Sequence, residues 1–569
     1  MLRHFLVYRP PPQKPDEPLG CEPSGSTVVI PFSCNRTAFV CIYTQAMSTN
    51  VTADVVVAGA GHNALIAAAY LARAGKKVVI VDARHIPGGG VATEEYLPGY
   101  FMDSCSTGHT IIQDNPVIAQ DTLGLVAQEG LRYVDPDPIA RVAMPDGEQV
   151  AMYLDRNKTY DEFARFNRAD ADRYFAMLED WDSAKDAFAQ SNNNPIGWAT
   201  PIDQALDKLP NGGTWRRRRA LSALDVVMHE FDNEHIQAFL LWEACQTFGS
   251  VDLPGTGVLP YSIMAGRQAR SWSIPVGGSG RLTEALVNVI SDNGGEIFCN
   301  QQVESLVIEN GRCQGFRTED GSTFLGREGV LSTIHIKHLV DMAPREAWGE
   351  DFVYGVDTYD IGIPLLVMFL AMNEVPTFMG KTPQDTAVSS GLGLWPHQVA
   401  QQLHDIRSRR PVEGSAWTLV ATPSLVDASR APEGKHTVKI LVPASHVAPY
   451  GKASWDDAKE MHADRIVDYV RTAVPNINED TVEARMVKSP LDIERANQHM
   501  INGCAHGGDK SAPFAGPLRP VPGWASHAMP IPGLYQTGGT THPGGSITGF
   551  PGRNAAMVMM KDLGLPFPG

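Results

Sequence analysis

The stretch Ala53-Asp-Val-Val-Val-Ala58 followed by Gly59-Ala-Gly61-His-Asn-Ala64 decides the fold of this chain. Six residues with one charge read as a short buried strand, and the six that follow match the G-x-G-x-x-G/A fingerprint. A helix is expected next, with Leu65, Ala68, Ala69 and Leu71 on one side and Gly75 as its stop. Lys77-Val-Val-Ile-Val81 is then a second strand that ends on Asp82. Each residue type has a mechanical purpose. Gly59 permits the tight turn, Gly61 lets the backbone approach a pyrophosphate, and Ala64 keeps the helix close to the strand. Helix N-terminal N–H groups face the phosphates. Asp82, 23 positions after Gly59, is placed for a ribose hydroxyl.

The residues after Asp82 separate one dinucleotide from another. Asp82-Ala83-Arg84-His-Ile-Pro-Gly88-Gly89-Gly90 adds a second glycine turn just beyond the acid, which simple nicotinamide domains lack. This pattern resembles the FAD-binding superfamily of amine oxidases and carotenoid desaturases. The resemblance implies that Arg84, Gly88 and Gly89 line the diphosphate and ribityl chain, with Ala83 beside them. Many members carry Arg or Ala where this chain has Gly90.

Near the other end, residues 531–535 read as a last sheet strand. Gln536-Thr-Gly-Gly-Thr-Thr-His-Pro-Gly-Gly-Ser-Ile-Thr-Gly-Phe-Pro-Gly-Arg553 and an apolar helix over 554–563 follow. Glycine at 544, 545, 549 and 552 frees the backbone to press against a flat group, and a helix N-terminus there stabilises negative charge. The run Thr541-His-Pro-Gly-Gly545 with Gly549 and Pro551-Gly-Arg-Asn554 resembles the phytoene desaturase-like branch of that superfamily. Desaturase-like β-carotene ketolases and animal pyridine nucleotide-disulfide oxidoreductase domain-containing proteins share it. The opening Gly61-His-Asn63 and the middle run Pro275-Val-Gly-Gly-Ser-Gly-Arg-Leu-Thr-Glu-Ala-Leu286 agree. The resemblance implies FAD as cofactor, adenine against the backbone of Val303, and a closing contact from Gly538, Gly539, Gly549 and Phe550. Amine oxidases often place an acid where Gly539 stands, and residues 503–509 also depart from the ketolases.

Composition bounds the rest. The chain has 569 residues, 43% of them apolar, enough for two lobes with separate cores. Its 47 basic and 64 acidic residues give a net charge of -17, the wrong sign for nucleic acid. No apolar run reaches the ~18 residues of a membrane span. Eight cysteines without Cys-x-x-Cys or metal spacing argue against a disulfide reductase and for no metal. Prolines at 10–12, 15, 18, 23 and 31 interrupt every pattern before Met47, so residues 1–46 read as a disordered extension or an upstream start outside the functional protein. Cytoplasmic or peripheral-membrane location is expected, with the mitochondrial matrix an alternative.

The expected architecture is α/β. A Rossmann-like, GR2-type FAD-binding domain (47–110, 272–345 and 500–569) is interleaved with an α+β substrate lobe (111–271 and 346–499). Helical aromatic spacing over 155–249 and strands near 364–372, 417–421 and 437–442 belong to the lobe. The arginines at 216–219 beside Trp215 read first as a solvated helix face, with weak contact with anionic lipid as the second reading. The chemistry expected is hydride transfer from a hydrophobic, isoprenoid or polyene, substrate to flavin N5. Electrons would leave to oxygen or a quinone, since no second dinucleotide fingerprint is present. His542 is the candidate for proton transfer, with holding the closing loop by hydrogen bonds as its other reading. A flavin amine oxidase and a non-catalytic carrier of a prenyl ligand are the other readings, and the retained glycines weigh against the carrier. Oligomeric state is not legible. The cofactor released by heat from the purified protein is expected to be FAD; release of FMN, or of no flavin after reconstitution, would overturn this.

Overall fold

Val55, Val56 and Val57 are fully buried in the computed structural model, as a strand covered on both faces requires. The structure describes residues 49–568 and two short strands, Val28–Val29 and Ile42–Tyr43; the rest of the expected disordered extension lies outside the described residues. The opening strand Asn50–Ala58 leads through the glycine turn into the helix His62–Arg73, buried from Asn63 to Ala72. Gly75 ends that helix in the left-handed region (φ 85°), where its N–H reaches the Ala72 carbonyl.

Asn50–Ala58 is central to a parallel array. Val78–Val81 pairs on one side and carries Glu296–Phe298 beyond it; Thr323–Ser332 pairs on the other. The far edge of Thr323–Ser332 serves two partners, the antiparallel strand Arg312–Thr318 at its start and the parallel strand Leu534–Gln536 at its end. Val303–Glu309 completes that side, and Ile42 adds to the opposite edge beside Phe298. The strand ends therefore collect residues from the beginning, middle and end of the chain on one edge.

Two helices seal this sheet against the opening helix: Gly280–Asp292 and the closing helix Phe550–Asp562. Close approach depends on Gly552, where a Cβ would stand 2.3 Å from the Asn63 carbonyl oxygen.

The second lobe is built on a seven-stranded sheet with the order Val482–Lys488, Leu365–Met372, His436–Pro443, Thr418–Ala421, Ser389–Leu392, Ala140–Ala143, Gln149–Met152. Leu365–Met372 is buried throughout, as its unbroken apolar run requires. Helices Arg168–Asn192, Glu234–Cys245 and Leu259–Arg270 cover one face. The aromatic stripe of the first of these is packing: Tyr174 is fully buried against Phe163, and Trp181 stacks on Phe188. The basic cluster is largely neutralised. Arg216 pairs with Asp207, Arg219 with Asp203, and buried Arg218 with Asp180 and Glu230, while Trp215 is fully buried. Trp215 is thus not available to press into lipid. No helix among the described residues is long and apolar enough to cross a membrane.

A polar clamp joins the lobes. Arg430 meets Asp103 at 3.1 Å and Asp427 at 2.9 Å, with the side chains of Arg430 and Asp103 fully buried. Asp427 also accepts the Gly277 N–H, and Asp103 the Ser279 N–H. The middle glycine run thus serves as the seat of this clamp. Gly552→Ala is expected to lower stability by about 1–3 kcal/mol through overpacking of the helix pair, read as a lower denaturant midpoint at unchanged slope.

Candidate cofactor and active site

The C-terminal ends of the parallel strands feed loops at 59–63, 81–84, 333–335 and 538–540, which line a cleft of about 320 Å³. This is the edge where open α/β sheets bind ligands. The opposite wall is residues 495–500 with Ala505 and Gly507.

Thr333 sits at the centre. A Cβ on Gly59 would meet Thr333 Cγ2 at 2.5 Å, and a Cβ on Gly538 would meet Thr333 Oγ1 at 2.5 Å. Both glycines also have positive φ, 94° and 96°. Gly61, by contrast, has room behind it, its nearest neighbour being Thr333 at 3.8 Å, so its missing side chain serves the cleft.

The second glycine turn is docked on the first. Gly88 donates its N–H to the Ala60 carbonyl at 2.8 Å, and at φ 110° a Cβ there would meet the Val91 carbonyl at 2.5 Å. Asp82 Oδ2 accepts the Ala60 N–H at 2.7 Å and Oδ1 the Arg84 N–H at 2.8 Å. Burial outweighs these bonds and raises the Asp82 carboxyl above its ordinary value. Arg84 reaches back to the Gly89 carbonyl at 2.6 Å and to Glu94 at 3.3 Å, so its guanidinium shapes the turn.

Of the residues read from the sequence, Gly59, Gly61, Asp82, Ala83, Arg84, Gly89, Val303, Gly538 and Gly539 line the cleft. Ala64, Gly88, Gly549 and Phe550 stand behind that lining. Ala64 is fully buried, and Gly549 (φ 69°) starts the closing helix against Ile66 and Asn115. His542 is also apart from the lining; its Nε2 is 3.0 Å from the Ser191 carbonyl oxygen on the long helix of the other lobe. Burial drives its pKa down to about 4.

Several lining residues carry no local sequence signal: Thr333, His335, Gln301 and the wall at 495–500. Arg519, 1% exposed, is another residue without one. It donates to the carbonyls of Gly539, Asp509 and Phe514 and so holds the closing loop from beneath. For Thr333 the one hint in the sequence is its place directly after a strand.

These features fit a bound dinucleotide. Positive-φ glycines leave the cleft floor bare. His62 and His335 line the cleft, and their Nε2 atoms have no hydrogen-bond partner in the protein. The helix His62–Arg73 begins at the turn. Its N-terminus would hold the diphosphate, Asp82 the ribose and Val303 the adenine.

Residues 65–552 match the family of flavin containing amine oxidoreductases. The chain belongs to this family. Relatives include pyridine nucleotide-disulfide oxidoreductase domain-containing protein 2 of Mus musculus, 27% identical, covering 90% of this chain and 94% of the relative. One of the subunits of limonene dehydrogenase from Castellaniella defragrans is 25% identical, with 91% and 96% covered. A lycopene-forming phytoene desaturase of Pantoea ananas is 24% identical, with 89% and 99% covered. Among solved structures, an oxidoreductase from Methanosarcina mazei superposes with a TM-score of 0.56 at 18% identity, covering 89% of this chain and 99% of its own. Putrescine oxidase bound to putrescine gives 0.57 at 12%, covering 90% and 99%. These two share the fold. The chain is thus an FAD-dependent oxidoreductase of the phytoene desaturase-like kind, and among its described residues no cluster of ligating side chains suits a metal.

Asp82→Ala is expected to weaken FAD binding about 10- to 100-fold, since a charged acceptor is lost; unchanged flavin occupancy after gel filtration would refute the ribose placement. A pH effect follows from the buried neutral histidines. Burial depresses His109 to about 3 and both His527 and His542 to about 4, against 6.5 when exposed. The unfolded chain therefore binds more protons between pH 6.5 and about 4, so stability is full above 6.5 and falls as the pH drops. Each histidine contributes about 1.4 kcal/mol per pH unit in that window. Urea midpoints measured from pH 7 to 5 should decline accordingly; a flat profile would refute the neutral state.

Proposed function

We propose that this enzyme dehydrogenates a neutral, hydrophobic substrate of isoprenoid or polyene type. The observation that carries the reading is the charge content of the cleft wall. Asp82 is the single carboxylate among the described lining residues, and its two oxygens are already engaged by Ala60 and Arg84. The cleft is the cofactor's, and where a substrate meets it an ammonium group would find no free carboxylate among those residues. Beside Gly90 the nearest side chains are apolar or soft: a Cβ on Gly90 would meet Met500 Cε at 3.2 Å and Cys105 Cβ at 3.6 Å, with Cys105 Sγ 3.7 Å from Met500 Sδ. Relatives of matching length are named for hydrocarbon substrates, limonene and phytoene, which supports the same class.

Bound FAD would supply the hydride acceptor. The chain's own residues bind and orient it through the glycine turns and hold the closing loop on Arg519. Desaturation removes a hydride from one substrate carbon and a proton from its neighbour. The electrons pass on to oxygen or a quinone, because the chain carries one dinucleotide fingerprint. Burial holds His62, in the cleft lining, and His506, in the chain segment of the opposite wall, in the neutral form, with pKa values of about 4 and about 3.

The test is anaerobic mixing of the FAD-loaded protein with terpenoid and polyene hydrocarbons in detergent and, separately, with primary and polyamines. Bleaching of the oxidised-flavin absorbance by hydrocarbons is expected. Bleaching by amines, with peroxide formed on admitting air, would replace this reading by an amine oxidase.

A further inference from the structure

We infer that Glu94 is a positioning residue for the cofactor, whose carboxylate fixes the guanidinium of Arg84 at the cleft wall. Arg84 is part of the cleft lining and Glu94 stands outside it, so with FAD in the cleft Glu94 acts on the cofactor through Arg84.

The planar fork of Arg84 is held from two directions. Nη1 donates to the Gly89 carbonyl at 2.6 Å, in the second glycine turn, and Nη2 donates to Glu94 Oε1 at 3.3 Å. A single backbone acceptor leaves a long, rotatable side chain free to swing about that bond. A second, charged acceptor carried by a different element sets the plane of the guanidinium. The Arg84 side chain keeps 16% of its surface exposed, so the fixed group is not sealed away from the cleft it lines.

Glu94 is in turn fixed by its own surroundings. It belongs to the strand Thr93–Leu97, and its Oε1 also accepts the Ser104 hydroxyl at 2.6 Å and the Tyr96 hydroxyl at 3.0 Å. Lys488, on the lobe strand Val482–Lys488, donates to the Tyr96 oxygen at 3.1 Å and lies 4.2 Å from the centre of the Tyr96 ring. The support of Arg84 thus reaches from the second glycine turn to the sheet of the other lobe. Burial alone would raise the Glu94 carboxyl, but Ser104, Arg84, Lys488 and Tyr96 outweigh it and hold the group below its ordinary value, as an ionised acceptor.

Three substitutions separate positioning of Arg84 from bracing of the strand. Glu94→Gln keeps the shape and removes the charge. Tyr96→Phe takes one donor from Glu94 and leaves Arg84 paired. Arg84→Gln is too short to reach Glu94. Apoproteins of these, of the Arg84→Gln/Glu94→Gln double variant and of wild type are titrated with FAD by calorimetry, and their thermal midpoints are measured without flavin. Midpoints should fall in both Glu94→Gln and Tyr96→Phe, because each loosens the same hydrogen-bonded group. The affinities should differ: FAD binds about tenfold more weakly to Glu94→Gln and within about twofold of wild type to Tyr96→Phe. Adding Glu94→Gln to Arg84→Gln should change affinity by less than about twofold, since the two residues act as one unit. Wild-type affinity in Glu94→Gln, an equal loss in Tyr96→Phe, or a further tenfold loss on the Arg84→Gln background would overturn the assignment.

Discussion

The close approach of two glycine loops to the single side chain of Thr333 is the constraint on which this structure depends. Gly59 and Gly538 are 479 positions apart in the chain (538 less 59), yet any side chain at either would overlap Thr333. The backbone repeats the convergence: Thr333 donates to the Ala58 carbonyl, and Thr537 to the Ser332 carbonyl, at 2.9 and 2.8 Å. Opening turn, middle strand and closing loop are thus held as one unit. A cofactor laid across them touches the beginning, middle and end of the sequence at once. Packing at this density transmits small shifts, so the loops have little freedom to move separately.

The parts of this arrangement that are legible in the sequence are those with local causes. The βαβ unit is visible because its strand, glycine turn, helix and acid follow one another within 30 residues, each obeying its own steric rule. The strand Leu365–Met372 is visible because burial on both faces demands an unbroken apolar run. Thr333, His335 and Arg519 are not visible, since what matters about each is a neighbour far away in sequence. Arg216, Arg218 and Arg219 show the same limitation from the other side. Four adjacent arginines read as a positive patch until Asp180, Asp203, Asp207 and Glu230 are folded against them. His542, drawn from a loop rich in glycine, faces the carbonyl of Ser191 in the other lobe.

The junction between lobes obeys different energetics. Taking Arg430, Asp103 and Asp427 out of water is expensive, and a buried ion pair of this kind commonly adds little net stability over an apolar contact. Its geometry is more specific than an apolar contact, because both carboxylates are fixed by further donors, Gly277 and Ser279 from the cofactor domain among them. Lys439 on the lobe sheet adds a contact to the Cys105 carbonyl. Register is what such a clamp provides. The cleft needs it, for one wall is Gly89 and Gly90 and the other is 495–500, carried by the lobe.

Dry packing and neutral histidines belong together in this molecule. Burial drives His62, in the cleft lining, and His542, outside it, to about 4 and leaves their rings uncharged. Low dielectric also strengthens any dipole that remains, including the N-terminus of the helix His62–Arg73 and the guanidinium of Arg519 beneath Gly539. Donors are therefore concentrated under the cofactor loops. That placement suits a cofactor on which negative charge grows on reduction.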